Sequence, residues 1–421
     1  MRGNSHLPVL DALLPDGFVT PDYTGGSIAN LPATIGGLLG VDEGWAAPPL
    51  HGTLAANLGR ADRVVLLLID GVGRQRLQQE LDCSGGSIEQ LVGRAPLLDE
   101  TLTSIAPATT SAATTVLLGN GAGPAATGML GYTFLLPRHG VLANMLLFQP
   151  VADPLAKAGD LERWGLVPEE FLPTPSLAQV LAQGGARTSA FMPSHLVRTP
   201  LSRMQLRGAR VEGYINWTDA CHKLAKWLDG APEMSLAYAY LSDFDALSHR
   251  DGTNAPSWSL TWANFAAHLR RLMERPARRD GTRTLLLVSA DHGHVDCPVD
   301  RRHEIQEYPG LQDLSLLGPG GEARHVNLYA RGGAKEELLA YCREELTDAF
   351  AVLDGAEALA AGLYGPTAVL HPETPARLGD VLLLSRGANH LWDREAEGSM
   401  VGMHGSLEPA EALVPLLAFE I

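Results

Sequence analysis

The stretch RVVLLLIDGVG, residues 63–73, carries the reading of the fold. Its apolar run is strand-length and unbroken by polar alternation, so both faces must be buried. That is the signature of a strand inside a parallel sheet. The run stops at Asp70-Gly71. Two later runs repeat the design, SLAYAYLSDFD (235–245) and TLLLVSADHG (284–293), and both also end in aspartate. Helical spacing follows the first run over Gln75 to Leu81. It returns over Ser257 to Met273, with Leu260, Trp262, Phe265, Ala266, Leu269 and Leu272 as the expected inner face. Gly332 to Asp348 reads as another helix and Asp380 to Ser385 as another strand. Strands alternating with helices predict an α/β fold around a mostly parallel sheet.

Away from these elements the chain is less regular. Residues 1–60 are rich in Gly and Pro and read as an irregular arm packed on a catalytic domain spanning 60–421. Residues 294–325 read as a loop or small insertion, and Arg275 to Arg283 as a charged surface turn. The 421 residues carry 45% hydrophobic and 19% charged side chains, which suits one elaborated domain and excludes disorder. The net charge of −16 argues against a binder of long nucleic acids, which needs a positive surface. Four scattered cysteines form no CxxC pair, and the N-terminus lacks an apolar core of signal-peptide length. No apolar run approaches a membrane span. A soluble cytoplasmic protein is expected.

Ligands of open α/β sheets sit beyond the carboxyl ends of the strands. Asp70, Asp243, Asp245 and Asp291 all fall there. A single Asp at such a place is ordinarily a turn or N-cap residue, but three strands ending alike point to a shared site. Asp245 and His249 are four apart, which places both on one helical face. His292 adjoins Asp291, and His404 lies between Gly402 and Gly405 in GMHGS. Aspartate and imidazole together suit Zn²⁺, or Mn²⁺ where carboxylates dominate. His294 and His325 sit near these motifs without a clear role. His6, His51, His222, His268 and His371 read as solvated or otherwise satisfied. Thr109, Thr110 and Ser111 offer hydroxyls where a helix begins, a position that favours phosphate; an N-cap followed by an Ala-rich packing helix explains them equally well. No GxxxxGK[ST] loop or GxSxG elbow occurs, which excludes a P-loop NTPase and disfavours an α/β-hydrolase triad.

Taken in order, LLLIDGVG, APATTSAATT with GMLGY, YLSDFDALSHRDG, VSADHGH and GMHGS resemble the alkaline phosphatase superfamily, specifically its type I phosphodiesterase/nucleotide pyrophosphatase branch. The resemblance spans about residues 60 to 410. It implies an α/β/α sandwich with a central mostly parallel sheet and small insertions. It also implies two divalent metal ions, zinc or alternatively manganese. Asp245, His249 and His404 would hold one; Asp70, Asp291, His292 and Thr110 would hold the other. Thr110 would be the nucleophile, forming a phosphothreonine, with Thr109 and Ser111 as the neighbouring registers. The implied activity is hydrolysis of a phosphodiester or nucleotide pyrophosphate, on a small phosphate-ester or nucleotide substrate. The alternatives are phosphomonoester or phosphonate hydrolysis, or a metal-retaining binding protein without turnover. The chain departs from the pattern at Gly119-Asn120, at Thr127, and near Tyr132, where relatives carry an asparagine that helps hold phosphate. Tyr132, Phe134 and Trp164 are candidates for contact with a base.

Overall fold

In the computed structural model, residues 8–151, 153, 155–275, 281–393 and 400–421 are described. His6 and residues 276–280 of the charged turn lie outside them. The apolar runs build the centre of a seven-stranded sheet. Its strands in chain order are β1 (Arg63–Ile69), β2 (Leu98–Thr103), β3 (Arg187–Pro193), β4 (Arg210–Tyr214), β5 (Ser235–Leu241), β6 (Thr284–Ser289) and β7 (Leu413–Glu420). Their spatial order is β2-β7-β6-β1-β5-β3-β4. Every residue of β1, β5 and β6 is buried, which is why these three read as continuous apolar runs. β1 lies between the other two, parallel to both, with Ile69 opposite Leu241 and Leu68 opposite Ser289. Only β7 runs against its neighbours. The expected α/β architecture with a mostly parallel central sheet is therefore what the chain forms.

Four helices matter for the site. They are α1 (Arg74–Ser84), α2 (Thr110–Leu117), α3 (Asp243–Asp251) and α4 (Pro256–Met273). The inner face of α4 differs from the expectation in that Leu260 lies outside it, while Trp258 and Met273, which were not expected there, belong to it. Trp258, Trp262, Phe265, Leu269 and Leu272 are buried, but Leu260 is 72% exposed. Trp258 and Trp262 sit one turn apart and set the buried stripe; Leu260, two residues from each, points ~200° away from both. Phe244 of α3 packs its ring 4.9 Å from Trp258 and 6.2 Å from Phe265, tying α3 to α4.

The strand read at Asp380 to Ser385 forms as Val381–Ser385, but it belongs to a second seven-stranded sheet. The described pairings of that sheet are all antiparallel, and its strands run from Thr133–Leu136 to Val381–Ser385. It includes Gly320–Glu322 and His325–Leu328, so the segment 294–325 delivers one of its strands. A bidentate ion pair ties the turn between Gly320–Glu322 and His325–Leu328 to the short helix Pro409–Ala412 that leads into β7: Arg324 Nε and Nη2 donate to Glu411 at 2.9 and 2.7 Å, both side chains fully buried. The Gly-rich opening segment is more ordered than its composition suggests. Leu31–Leu39 is a helix with eight of nine residues buried, and burial on all sides erases the periodicity that would have shown it. Among the described residues no helix is long and apolar enough to cross a membrane. All four cysteines are free.

Candidate metal and phosphoryl site

Because β6, β1 and β5 are parallel neighbours, their carboxyl ends lie side by side, and the residues that follow each strand meet. Asp70 follows β1, Asp291 and His292 follow β6, and α3 carries Asp245 and His249. Asp243 opens α3 but faces solvent, so Asp245 is the member of that pair turned inward. The turns after β1 and β6 press together through two glycines. A Cβ on Gly293 would sit 2.7 Å from Gly73 Cα, and one on Gly73 would sit 2.9 Å from Gly293 Cα. The Gly71 N–H donates to Asp291 Oδ1 at 3.2 Å, which locks the two turns in register.

Two groups of side chains result. In the first, His292 Nε2 lies 3.3 Å from Asp70 Oδ1 and 3.9 Å from Asp291 Oδ2. Thr110 Oγ1 lies 3.0 Å from the same His292 Nε2 and 3.5 Å from Asp70 Oδ1. The second group surrounds Asp245 Oδ1, with His249 Nε2 at 3.1 Å, His294 Nε2 at 3.1 Å and His404 Nε2 at 3.8 Å. The groups adjoin, since the His292 and His404 rings stack with centroids 3.7 Å apart. His294 is the residue that sequence reasoning left without a role. Its signal was present: His292 and His294 are two apart, and in extended chain such residues face the same side.

All four imidazoles are oriented alike. Nδ1 of His249, His292, His294 and His404 lies at 2.8–3.1 Å from the carbonyl oxygen of Gly402, Gly293, Gly71 and Ala108 respectively. A proton on Nδ1 satisfies each carbonyl and leaves the Nε2 lone pair facing inward, the arrangement that metal-binding histidines adopt. The Tyr240 hydroxyl donates to Asp70 Oδ2 and fixes that carboxylate from below.

Electrostatics report the same crowding. Burial, with the charges of Asp291 and Asp245, pushes the Asp70 carboxyl well above its usual range. Burial works against ionisation of Asp245 too, but His249 and His294 outweigh it and hold that carboxyl well below the usual range. His404 is driven well below the free imidazole value by burial and by the neighbouring histidines. His249 goes the other way: burial opposes its charge, but Asp245 raises it. Asp245 Oδ1, Asp291 Oδ2 and His294 Nε2 are buried with no hydrogen-bond partner. Buried polar atoms without partners are costly, and here they converge. Ligand atoms around a tetrahedral zinc ion at ~2.0–2.1 Å stand about 3.3 Å apart, close to the 3.1 Å separations at Asp245. Nitrogen and carboxylate donors with this spacing fit divalent cations, and among the described residues two such groups exist: Asp245, His292, His294 and His404, and Asp70, Asp291 and His292.

The hydroxyl triad separates clearly. Thr109 is the N-cap of α2, its side chain accepting from the Ala112 N–H, and it is buried. Ser111 is buried, with its Oγ 3.5 Å from Thr109 Oγ1. Thr110 alone of the three reaches Asp70 and His292. His325 sits one layer behind the cluster, with Nδ1 on the Gly405 carbonyl and Nε2 on the Tyr364 hydroxyl, and burial lowers it to about 4. Tyr132 accepts from Asn144 Nδ2 at 2.6 Å, and its N–H donates to Glu322 Oε1 at 2.8 Å. Burial raises that Glu322 carboxyl to about 8. Phe134 is wholly buried in the second sheet's core and is no surface for a base. Trp164 is half exposed and stacks at 6.4 Å on His139.

A mostly parallel α/β sheet bearing clustered Asp and His residues beside a helix-opening threonine fits a metal-dependent phosphoryl hydrolase of the alkaline phosphatase superfamily. The family model for type I phosphodiesterase / nucleotide pyrophosphatase matches residues 64–407, and the chain belongs to that family. Solved structures share the fold at low identity. Murine ectonucleotide pyrophosphatase / phosphodiesterase 5 is 14% identical with a TM-score of 0.63, over 84% of this chain and 87% of that one. Phosphonoacetate hydrolase from Sinorhizobium meliloti 1021, bound to phosphonoformate, is 17% identical with a TM-score of 0.59, over 84% and 89%. No curated protein sequence matches the chain. The family supports a hydrolase of phosphoric esters that depends on metal.

Proposed function

We propose that the chain hydrolyses a small phosphodiester or nucleotide pyrophosphate through a phosphothreonine on Thr110, with two divalent cations, zinc or alternatively manganese, at the Asp/His cluster. The reading rests on Thr110 Oγ1, held 3.0 Å from His292 Nε2 and 3.5 Å from Asp70 Oδ1 at the first residue of α2. Asp70, Asp291 and His292 would hold one cation, in reach of Thr110. Asp245, His249 and His404 would hold the other. Bound there, the cations neutralise phosphoryl charge and lower the pKa of the threonine hydroxyl.

The chain's own groups do the rest. Thr110 Oγ1 attacks phosphorus in line; the Oγ1–P bond forms as the bond to the leaving oxygen breaks. Water then attacks the phosphothreonine, and Oγ1 departs. The start of α2 favours the anion through its helix dipole. The carbonyls of Gly402, Gly293, Gly71 and Ala108 keep the four rings from turning. An inactive threonine-to-alanine form of the murine neighbour was solved with AMP, which supports both a threonine nucleophile and a nucleotide-sized substrate. The free cysteines suit a reducing compartment, and we place the protein in the cytoplasm.

The test is hydrolysis of bis-p-nitrophenyl phosphate, p-nitrophenyl phosphate and phosphonoacetate by zinc- or manganese-loaded protein. The diester should be cleaved fastest, chelation should abolish turnover, and Thr110→Ala should bind metal but turn over at least 100-fold more slowly. A preference for the monoester or phosphonoacetate would replace the reading with those activities. No turnover with metal bound would leave a binding protein.

A further inference from the structure

His294 stands outside the ligand set that the family pattern implies, yet it is built like a ligand. Its side chain is 1% exposed. Nδ1 is held at 3.1 Å by the Gly71 carbonyl, and Nε2 faces Asp245 Oδ1 at 3.1 Å. That is the same distance as His249 Nε2 keeps from the same oxygen. Its ring centroid lies 5.1 Å from that of His249 and 5.2 Å from that of His404, so the three rings surround one point. The space it occupies is kept open by Gly71, with φ +75°, where any Cβ would run into the His294 ring.

The simpler alternative is a buried histidine that positions Asp245 by donating to it. The hydrogen bonding argues otherwise. With the proton on Nδ1 for Gly71, Nε2 is a lone pair, and Asp245 Oδ1 is a second one 3.1 Å away. Both atoms lack a hydrogen-bond partner. Two buried lone pairs brought this close need either a second proton on the ring or a metal cation between them, and His249 and His404, presented to the same oxygen in the same way, favour the metal.

We propose that His294 is a protein ligand of the cation held by Asp245, His249 and His404, making that site a three-histidine, one-aspartate centre. The inference rests on the proposed metal-dependent function and adds a ligand to it. Three imidazoles shift the donor set toward nitrogen, which favours zinc over manganese at this position. The Asp70, Asp291 and His292 position keeps more oxygen, so the two sites should differ in metal preference.

The experiment is zinc and cobalt binding by full-length protein, without reference to turnover. Wild type, His294→Ala, the bulkier His294→Gln and His249→Ala would be titrated with Zn²⁺ against a competing chelator, and Co²⁺-loaded samples compared by visible absorption. Thermal unfolding of the metal-free proteins identifies which His294 variant is folded. Expected is a loss of zinc affinity at one of two sites by at least 100-fold in the folded His294 variant, similar to His249→Ala, with altered Co²⁺ bands. A positioning residue would leave the Co²⁺ spectrum unchanged and cost less affinity than His249→Ala; that result overturns the inference while two-metal binding stands. Wild type that binds neither metal overturns the inference and the proposed function together.

Discussion

Gly293→Ala isolates the contact that brings the two halves of the site together. Gly293 follows Asp291 and His292, and Gly73 lies three residues after Asp70. A Cβ on Gly293 would sit 2.7 Å from Gly73 Cα and closer still to the Ala410 carbonyl oxygen. Both obstacles are backbone, so no side chain can swing aside. Ordinary van der Waals contact begins at 3.4 Å, and restoring it moves the Gly73 turn by about 0.7 Å, a shift that falls directly on the 3.3 Å separation of Asp70 from His292. Overpacking of this kind costs about 1–3 kcal/mol of stability. A 1 Å misplacement at a catalytic centre can cost about 100-fold in rate, so kcat/KM on the diester should fall by about 10- to 100-fold. The assay is kcat/KM on bis-p-nitrophenyl phosphate, with zinc content measured in parallel. Gly230→Ala is the control, since a Cβ there meets nothing within 4 Å. Wild-type kcat/KM and zinc content in Gly293→Ala would refute the claim that these facing glycines set the registry of the site.

Three further outcomes follow from the same geometry. Glu411→Ala leaves the buried Arg324 guanidinium without its counter-charge and should lower stability by about 3–5 kcal/mol in denaturant unfolding; Arg324→Met with Glu411→Leu should cost less. Tyr240→Phe removes the donor to Asp70 Oδ2 and should weaken metal binding by about 10- to 100-fold in chelator competition, with the fold intact. Glu322 has a folded value of about 8 against 4.5 when exposed, so the native state holds an extra proton between those pH values. Its contribution therefore falls as pH rises through that window; metal-free Glu322→Gln should show a flatter loss of stability from pH 4.5 to 8.

The parts legible in the sequence are those whose physics is local. β1, β5 and β6 are buried on both faces, so their burial is written as unbroken apolar runs, and the aspartates that end them mark the site edge. Trp262, Phe265, Leu269 and Leu272 were read as the inner face of α4 and are buried there, while Leu260 fits the helical period only loosely and turns outward, Trp258 taking the buried place instead. The second sheet was hidden because strands such as Gly320–Glu322 and His325–Leu328 are only three or four residues long and, beyond the hairpin they form with each other, pair with distant segments at Thr133 and Val381–Ser385. The same non-locality explains His294. Its partner Asp245 is 49 positions away in sequence, and only the parallel pairing of β6, β1 and β5 brings the turns together.

The charge balance takes on a different meaning at this cluster. A net −16 argues against anionic partners only if the acids stay exposed and unpaired. Asp70 and Asp291 are 1% and 0% exposed, and Asp245 is largely buried. Among the described residues, the side chains of opposite charge at ion-pairing distance from these three are histidines. Histidine cannot neutralise them all, because His404 and His294 are themselves held below the free imidazole value by burial. Three carboxyl groups crowded together, with Asp70 already pushed toward its neutral form by burial and by the other two, make a pocket that resists further negative charge as it stands and attracts divalent cations strongly. Affinity for an anionic substrate must then be conditional on the cations. A non-hydrolysable phosphodiester analogue should bind the Zn²⁺-loaded Thr110→Ala protein and fail to bind its metal-free form; equal binding to both would show that phosphate is held by the protein's own groups instead.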